Sequence, residues 1–228
     1  MELYLLSNSR MKNELPFAWA KDQLLSEWGG RIKTVALVPF AGVGLGWDEY
    51  VDWVAEAFAP QNIKITGVHQ DDTVVDTADA IFVGGGNTFH LTYHLHKTGL
   101  MDRIRTLVRS GKPYMGWSAG ANVAAPTLRT TNDMPIVEPA SFNTFGFVPF
   151  QLNPHYTNYV SPDHGGETRD QRLNEFILAN PDQKVVGLPE GSMLIARDTR
   201  VQSWGKGPFR IFDSQSPEGR DEPTFSQG

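Results

Sequence analysis

The sequence predicts an α/β fold, a mainly parallel sheet with helices on both faces. Three observations carry that expectation. Short apolar runs alternate with helix-spaced segments through the first half of the chain. Most of these runs are closed by Ser, Pro or Gly. Two of the runs lead straight into glycine-rich loops, the usual place for ligands beyond strand ends in open α/β sheets.

The elements follow in order. Leu3-Tyr4-Leu5-Leu6 reads as a buried strand closed by Ser7-Asn8-Ser9. Phe17 to Trp28 reads as a helix stopped by Gly29-Gly30. Thr34 to Val38 is a second strand, ended by Pro39. Trp47 to Ala59 carries apolar residues at 47, 50, 51, 54, 55 and 58, the spacing of one helix face, and Pro60 ends it. Ile63 to Val68 and Ala80 to Val83 are the next strands, the latter closed by Gly84-Gly85-Gly86. Thr88 to His96 and Met101 to Arg109 read as helices, and Pro113 to Trp117 as a fifth strand. A small-residue helix is expected from Ala119 to Ala125. From Pro126 to Pro162 prolines and polar residues predict long loops and short strands. Glu167 to Ala179 returns to helix, and Val185 to Leu188 and Met193 to Ala196 to strand. The expected organisation is one α/β domain over 1–213 and a loose tail over 214–228, where Gly, Pro, Ser and polar residues dominate.

Composition narrows the function. A chain of 228 residues suits one domain. It has no cysteine, so disulfides, thiolate metal sites and a cysteine nucleophile are excluded. A net charge of −6 without a basic stripe argues against nucleic acid as partner. No run approaches the ~18 apolar residues of a membrane span. The N-terminus opens with an acid and a short apolar run, unlike a signal peptide. The expectation is a cytoplasmic protein without membrane partner or cofactor.

Gly116-Trp117-Ser118-Ala119-Gly120 matches G-x-S-x-G between a strand and a helix. There Ser118 sits on a sharp turn and the Ala119 amide faces a developing oxyanion; a Ser-capped turn is the plainer alternative. Gly84-Gly85-Gly86-Asn87-Thr88 lets backbone approach a ligand and offers a second oxyanion amide; a phosphate loop or a tight turn are the alternatives. A serine nucleophile needs a base. His155, in Asn153-Pro154-His155-Tyr156, follows a strand and a proline. His90 and His94 have metal-ligand spacing, but no H-E-x-x-H pattern or third ligand, so no metal is expected. His164 lies in a Gly-flanked loop suited to touching substrate. Asp133 and Glu190 are both candidates for the acid that orients the histidine. Arg129, Arg169 and Arg172 are candidates to grip a carboxylate.

Together these segments resemble the peptidase E family of serine dipeptidases. The matching stretches run from Leu6-Ser7-Asn8-Ser9 through Gly116 to Asn122, Arg129 to Val137, Asn153-Pro154-His155 and Gly165 to Arg172, to Gly187-Leu188-Pro189-Glu190-Gly191. Beyond about Thr199 the likeness stops. The resemblance implies a class I glutamine amidotransferase-like fold, with serine where those enzymes carry cysteine, and hydrolysis of dipeptides that begin with L-aspartate. It implies Ser118 as nucleophile, His155 as base, and Gly86 and Ala119 as oxyanion donors. The third triad member is Glu190 or Asp133. Glu190 is favoured because the amidotransferase-like order puts the acid after the histidine. Arg169 is the expected cation for the aspartate side chain, with Asn87, Thr130 and His164 as further pocket residues. Two alternatives remain. One is a cyanophycinase-like hydrolase of β-linked Asp-Arg. The other is a non-catalytic binder of aspartyl peptides.

Overall fold

The computed structural model describes residues 1–163 and 165–227. In chain order the described elements are β1 (Glu2–Leu6), α1 (Ala18–Trp28), β2 (Thr34–Val38), α2 (Trp47–Phe58), β3 (Lys64–Gly67), α3 (Val74–Thr77), β4 (Ala80–Val83), α4 (Thr88–Lys97), α5 (Leu100–Arg109), β5 (Tyr114–Trp117) and α6 (Ala119–Asn122). The second half contributes β6 (Gln151–Tyr156), α7 (Arg169–Ala179), β7 (Val185–Pro189), β8 (Ser192–Arg197), β9 (Arg200–Gly205), β10 (Phe209–Asp213), β11 (Ser216–Glu222) and β12 (Ser226–Gln227).

The larger sheet has the order β12-β9-β8-β1-β5-β4-β2-β3. From β3 to β1 its strands are parallel, and β8, β9 and β12 continue it antiparallel. Period-two alternation divides the core between its faces. Leu3, Leu5, Ala36, Val38, Ile81 and Val83 face α4 and α5, through Leu91, Leu95, Ile104 and Val108. Tyr4, Leu6, Val35, Leu37, Phe82 and Met115 face α1 and α2, through Leu24, Trp28, Val54 and Phe58. This is the α/β architecture the alternating runs imply, and it is consistent with the amidotransferase-like class. No helix among the described residues is long and apolar enough to cross a membrane.

A second sheet, β11-β10-β7-β6, packs on the α4/α5 side through Leu152, Val186, Leu188 and Ile211. Helix α7 covers its other face with Leu173 and Ile177. Thr168 caps α7: its side chain accepts from the Gln171 amide, and the Gln171 side chain accepts from the Thr168 amide.

Three expectations change. Of the tail expected over 214–228, the described residues 214–227 are not loose. β11 pairs antiparallel with β10, and β12 with β9. Phe225 is buried against Phe150, an anchor that a Gly- and Ser-rich composition hides. The helix after the elbow stops at Asn122 rather than Ala125, because the amides of Ala124 and Ala125 bond three residues back and tighten the chain into a turn. Strands β9 and β10 were not expected. Their charged and polar residues mask the alternation, and only antiparallel pairing with β8 and β7 makes them strands.

Candidate active site

The site lies where the two sheets meet. Ser118 follows β5 with φ 52° and ψ −114°, a conformation outside the ordinary regions for a non-glycine residue. The flanking glycines make that turn possible. A Cβ on Gly116 would lie 2.3 Å from the Gly120 carbonyl oxygen, and one on Gly120 2.0 Å from that of Val83. The strand and short helix therefore pack backbone to backbone, and the Ser118 amide bonds back to the Leu6 carbonyl at 3.0 Å.

His155 comes from the other sheet. Strand β6 breaks register between Asn153 and Tyr156, and His155 sits in the break with φ 53°. Ser7, fully buried, fixes it there. Its hydroxyl accepts from the His155 amide and donates to the Leu188 carbonyl, both at 2.9 Å. Ser7 thus ties β1, β6 and β7 together at the point where the three must align.

The His155 ring bridges two partners. Nε2 lies 3.0 Å from Ser118 Oγ, and Nδ1 lies 2.8 Å from Glu190 Oε1. An ionised carboxylate only accepts, so Nδ1 carries the proton. Nε2 of the neutral ring is then the acceptor for the Ser118 hydroxyl, the arrangement that activates a serine for attack on a carbonyl. Glu190 follows β7, and its side chain is 53% exposed, so it acts in wet surroundings.

Two backbone amides flank Ser118, that of Gly86 at the larger pocket and that of Ala119 at the smaller one. Ala119 opens α6, where an amide has no acceptor within the helix. Gly86 has φ 135°, and a Cβ there would meet the Ala41 carbonyl oxygen at 2.2 Å. Among the described residues neither amide donates to a backbone carbonyl. The Gly85 carbonyl accepts from the buried Tyr50 hydroxyl at 2.9 Å. In a trans peptide the next amide points the opposite way, so Tyr50 turns the Gly86 N–H away from itself.

Ser118 and His155 line two pockets. The smaller, about 200 Å³, is walled by Thr88, Asn122, Thr131, Asn132, Asp133 and Arg169. Burial pushes the Arg169 guanidinium below the usual arginine range, and Arg172 adds to this by repulsion. Arg169 has a long hydrogen bond to Asn153 Oδ1 at 3.3 Å and no carboxylate partner among the described residues. Asp133 stands apart from His155. Its Oδ2 accepts from the Thr88 amide and hydroxyl and from the Thr131 hydroxyl, while Oδ1 has no partner among the described residues. Asn122 is 1% exposed. Its Nδ2 donates to the Leu152 carbonyl, and its buried Oδ1 has no partner among the described residues. The pocket therefore offers one cation and one unfilled acceptor, Asp133 Oδ1, while Asn122 Oδ1 is buried.

The other expected pocket residues separate. Thr130 turns inward, 3% exposed, with its hydroxyl bonded to the Leu152 carbonyl; Thr131 takes its place on the wall. Asn87 caps α4, accepting from the His90 amide and donating to the Met134 carbonyl. It lines a neighbouring depression rather than the Arg169 pocket. His164 lies outside the described residues. Arg129 is drawn off to Asn180, and Arg172 lies 3.7 Å from Glu167. Asn122 was missed by sequence reasoning, although it sits four residues after Ser118. An asparagine amid alanines in a tight helix is the signal that marks it. No three His, Asp or Glu side chains among the described residues are grouped to hold a metal ion.

A sequence model of Peptidase family S51 matches residues 3–204. A peptidase E from Nostoc sp. is 46% identical over 213 residues, covering 92% of this chain and 88% of that one. A peptidase E from Shewanella amazonensis is 45% identical over 210 residues, covering 88% and 86%. Among solved structures, a peptidase from an acI-B1 actinobacterium superposes with a TM-score of 0.65 at 18% identity, over 99% of this chain and 96% of that one, a likeness of fold. The serine elbow, the histidine bridging serine and glutamate, and the match over most of the chain lead to one conclusion: the protein belongs to peptidase family S51 and is a peptidase.

Proposed function

We propose that the protein is a serine-type dipeptidase of the cytoplasm that removes an N-terminal L-aspartate from dipeptides. The observation that carries this reading is the half-buried Arg169 guanidinium, without a carboxylate partner among the described residues, in the small pocket beside Ser118. A cation partly stripped of water selects a ligand that returns the missing negative charge. Aspartate's side chain is a carboxylate of short reach, and the pocket is small.

The substrate's carboxylate pairs with Arg169 and its α-ammonium with Asp133 Oδ1. The scissile carbonyl then lies over Ser118. His155 Nε2 takes the hydroxyl proton as Oγ attacks, and the tetrahedral oxyanion receives the amides of Gly86 and Ala119. The C–N bond breaks as His155 returns the proton to the leaving amine. Water, activated by the same nitrogen, releases aspartate from the acyl-enzyme. Glu190 holds the Nδ1–H tautomer and stabilises the transient imidazolium. Asp133 belongs to binding, since its bonds run to Thr88 and Thr131.

The test is steady-state hydrolysis of Asp-Leu beside Asn-Leu, Glu-Leu and Ala-Leu. Asp-Leu is expected to exceed the others by about 10³-fold in kcat/KM, because each analogue leaves the cation unpaired or misplaced. Equal turnover of Asn-Leu would sink the aspartyl reading.

Glu190 and Asp133 separate in the same assay. Glu190→Gln is expected to lower kcat by about 10²-fold with KM nearly constant; the half-exposed carboxylate acts by orientation more than by field. Asp133→Asn is expected to raise KM by about tenfold, with less effect on kcat. The reverse pattern would transfer the third triad place to Asp133.

A further inference from the structure

The larger pocket on the other side of Ser118 has no role in the reading so far. It encloses about 500 Å³, in the range of small-ligand sites, and is lined by Ser118 and His155 together with Arg10, Leu45, Trp53 and Trp117. Its composition is divided. Tyr50, which also lines it, is stacked with Trp117 at 6.4 Å and lies 5.8 Å from Trp53, so these rings form one apolar wall. Leu45 is 41% exposed at its edge. The lining also includes one arginine, Arg10.

The backbone at Arg10 is well fixed although its side chain reaches solvent. Asn8, 2% exposed, donates to the Arg10 carbonyl at 2.9 Å and accepts from the Gly191 amide at 2.8 Å. The loop bearing Arg10 is therefore tied to the loop bearing Glu190. The following turn is closed by the Phe17 amide on the Ser9 carbonyl at 2.6 Å. No ion pair or side-chain hydrogen bond engages the Arg10 guanidinium among the described residues.

We propose that this pocket is the leaving-residue subsite. Its aromatic and aliphatic wall takes a large apolar side chain, and Arg10 receives the free C-terminal carboxylate of a dipeptide. The inference rests on the serine dipeptidase reading and extends it. With the aspartyl side chain in the Arg169 pocket, the residue beyond the scissile bond must lie across Ser118, on the side of the His155 ring that protonates the departing amine. The α-carboxylate of that same residue meets Arg10. A dipeptide satisfies both arginines at once. A longer chain carries its terminal charge past Arg10, and an amide or anilide offers none. Size of the second side chain and chain length are thus read by the same pocket.

The experiment compares kcat/KM for Asp-Leu, Asp-Leu-amide, Asp-Leu-Gly, Asp-Asp and Asp-p-nitroanilide in the wild type, Arg10→Ala and Arg10→Lys. The wild type is expected to prefer Asp-Leu to its amide by about tenfold, a charge-assisted contact near the surface, and Asp-Leu to Asp-Asp by more. In Arg10→Ala the preference over the amide should shrink to within about twofold, and Arg10→Lys should keep part of it. Arg10→Ala retaining the full preference, or a wild type indifferent to the amide and to Asp-Asp, overturns the proposal. Cleavage of Asp-p-nitroanilide in that case leaves the dipeptidase reading standing. No turnover of any aspartyl substrate by folded protein overturns both.

Discussion

Ser118→Ala is expected to reduce kcat on Asp-Leu by about 10⁵–10⁶-fold, the scale seen when the nucleophile of a serine triad is removed, because triad members act as a unit. The change should be silent in the fold. Among the described residues the Ser118 hydroxyl bonds only to His155, whereas the turn is held by backbone: the Ser118 amide on Leu6, the Asn122 amide on the Ser118 carbonyl, and the packing of Gly116 on Gly120. Alanine suffers the same positive φ as serine, so strain is carried over unchanged. Thermal unfolding should therefore move little, and the variant should still bind Asp-Leu with a Kd close to the wild-type KM. Rapid-quench and steady-state assays give the rate, and calorimetry of the inactive variant gives the binding. Residual activity above about 1% would mean that water, not Ser118, attacks the carbonyl, and the oxyanion amides would then serve a different nucleophile.

What the sequence made legible, and what it hid, divides along physical lines. The inner parallel strands β1, β2, β4 and β5 are buried on both faces and appear as continuous apolar runs, and their closing Ser, Pro and Gly residues are local signals. The elbow is legible because its glycines answer to steric demands within the motif, with Gly116 packed on Gly120 and Gly120 on Val83. The pairing of His155 with Glu190 is not local. Thirty-five positions separate them, and only the parallel pairing of β6 with β7 and the bulge at His155 brings ring and carboxylate to 2.8 Å. Family resemblance stood in for that missing three-dimensional information, and it left Asp133 and Glu190 as rivals. In the structure Glu190 bonds to His155, whereas Asp133 bonds to the start of α4. The inward turn of Thr130 against the outward turn of Thr131 depends on loop packing that no motif encodes. The strands at the end of the chain escaped for a related reason. Their apolar positions are few, and one of them, Phe225, finds its partner Phe150 far back in the chain.

Arg169→Met is the second change with a large expected effect, and it tests substrate choice rather than chemistry. Methionine keeps much of the length and apolar stem while removing the charge and the planar donor fork. With Asp-Leu as substrate, kcat/KM is expected to fall by about 10²–10⁴-fold, since the aspartyl carboxylate would then be desolvated without a partner. With Asn-Leu or Ala-Leu the loss should be much smaller, because those side chains gain little from the guanidinium and now avoid stranding it. The ratio of Asp-Leu to Asn-Leu should collapse from about 10³ to within about tenfold. Arg169→Lys should recover part of it as a point charge without the bidentate geometry. Folding is not the weak point. Among the described residues Arg169 has only its long bond to Asn153, α7 is capped independently by Thr168 and Gln171, and the helix is anchored through Leu173 and Ile177. Burial also disfavours this guanidinium while the pocket is empty. The variant is therefore expected to unfold at the wild-type temperature or slightly above it, while losing selectivity. That combination marks a cation retained for its ligand. A variant that keeps its preference for Asp-Leu would instead place the selecting charge elsewhere and detach the small pocket from the aspartyl side chain.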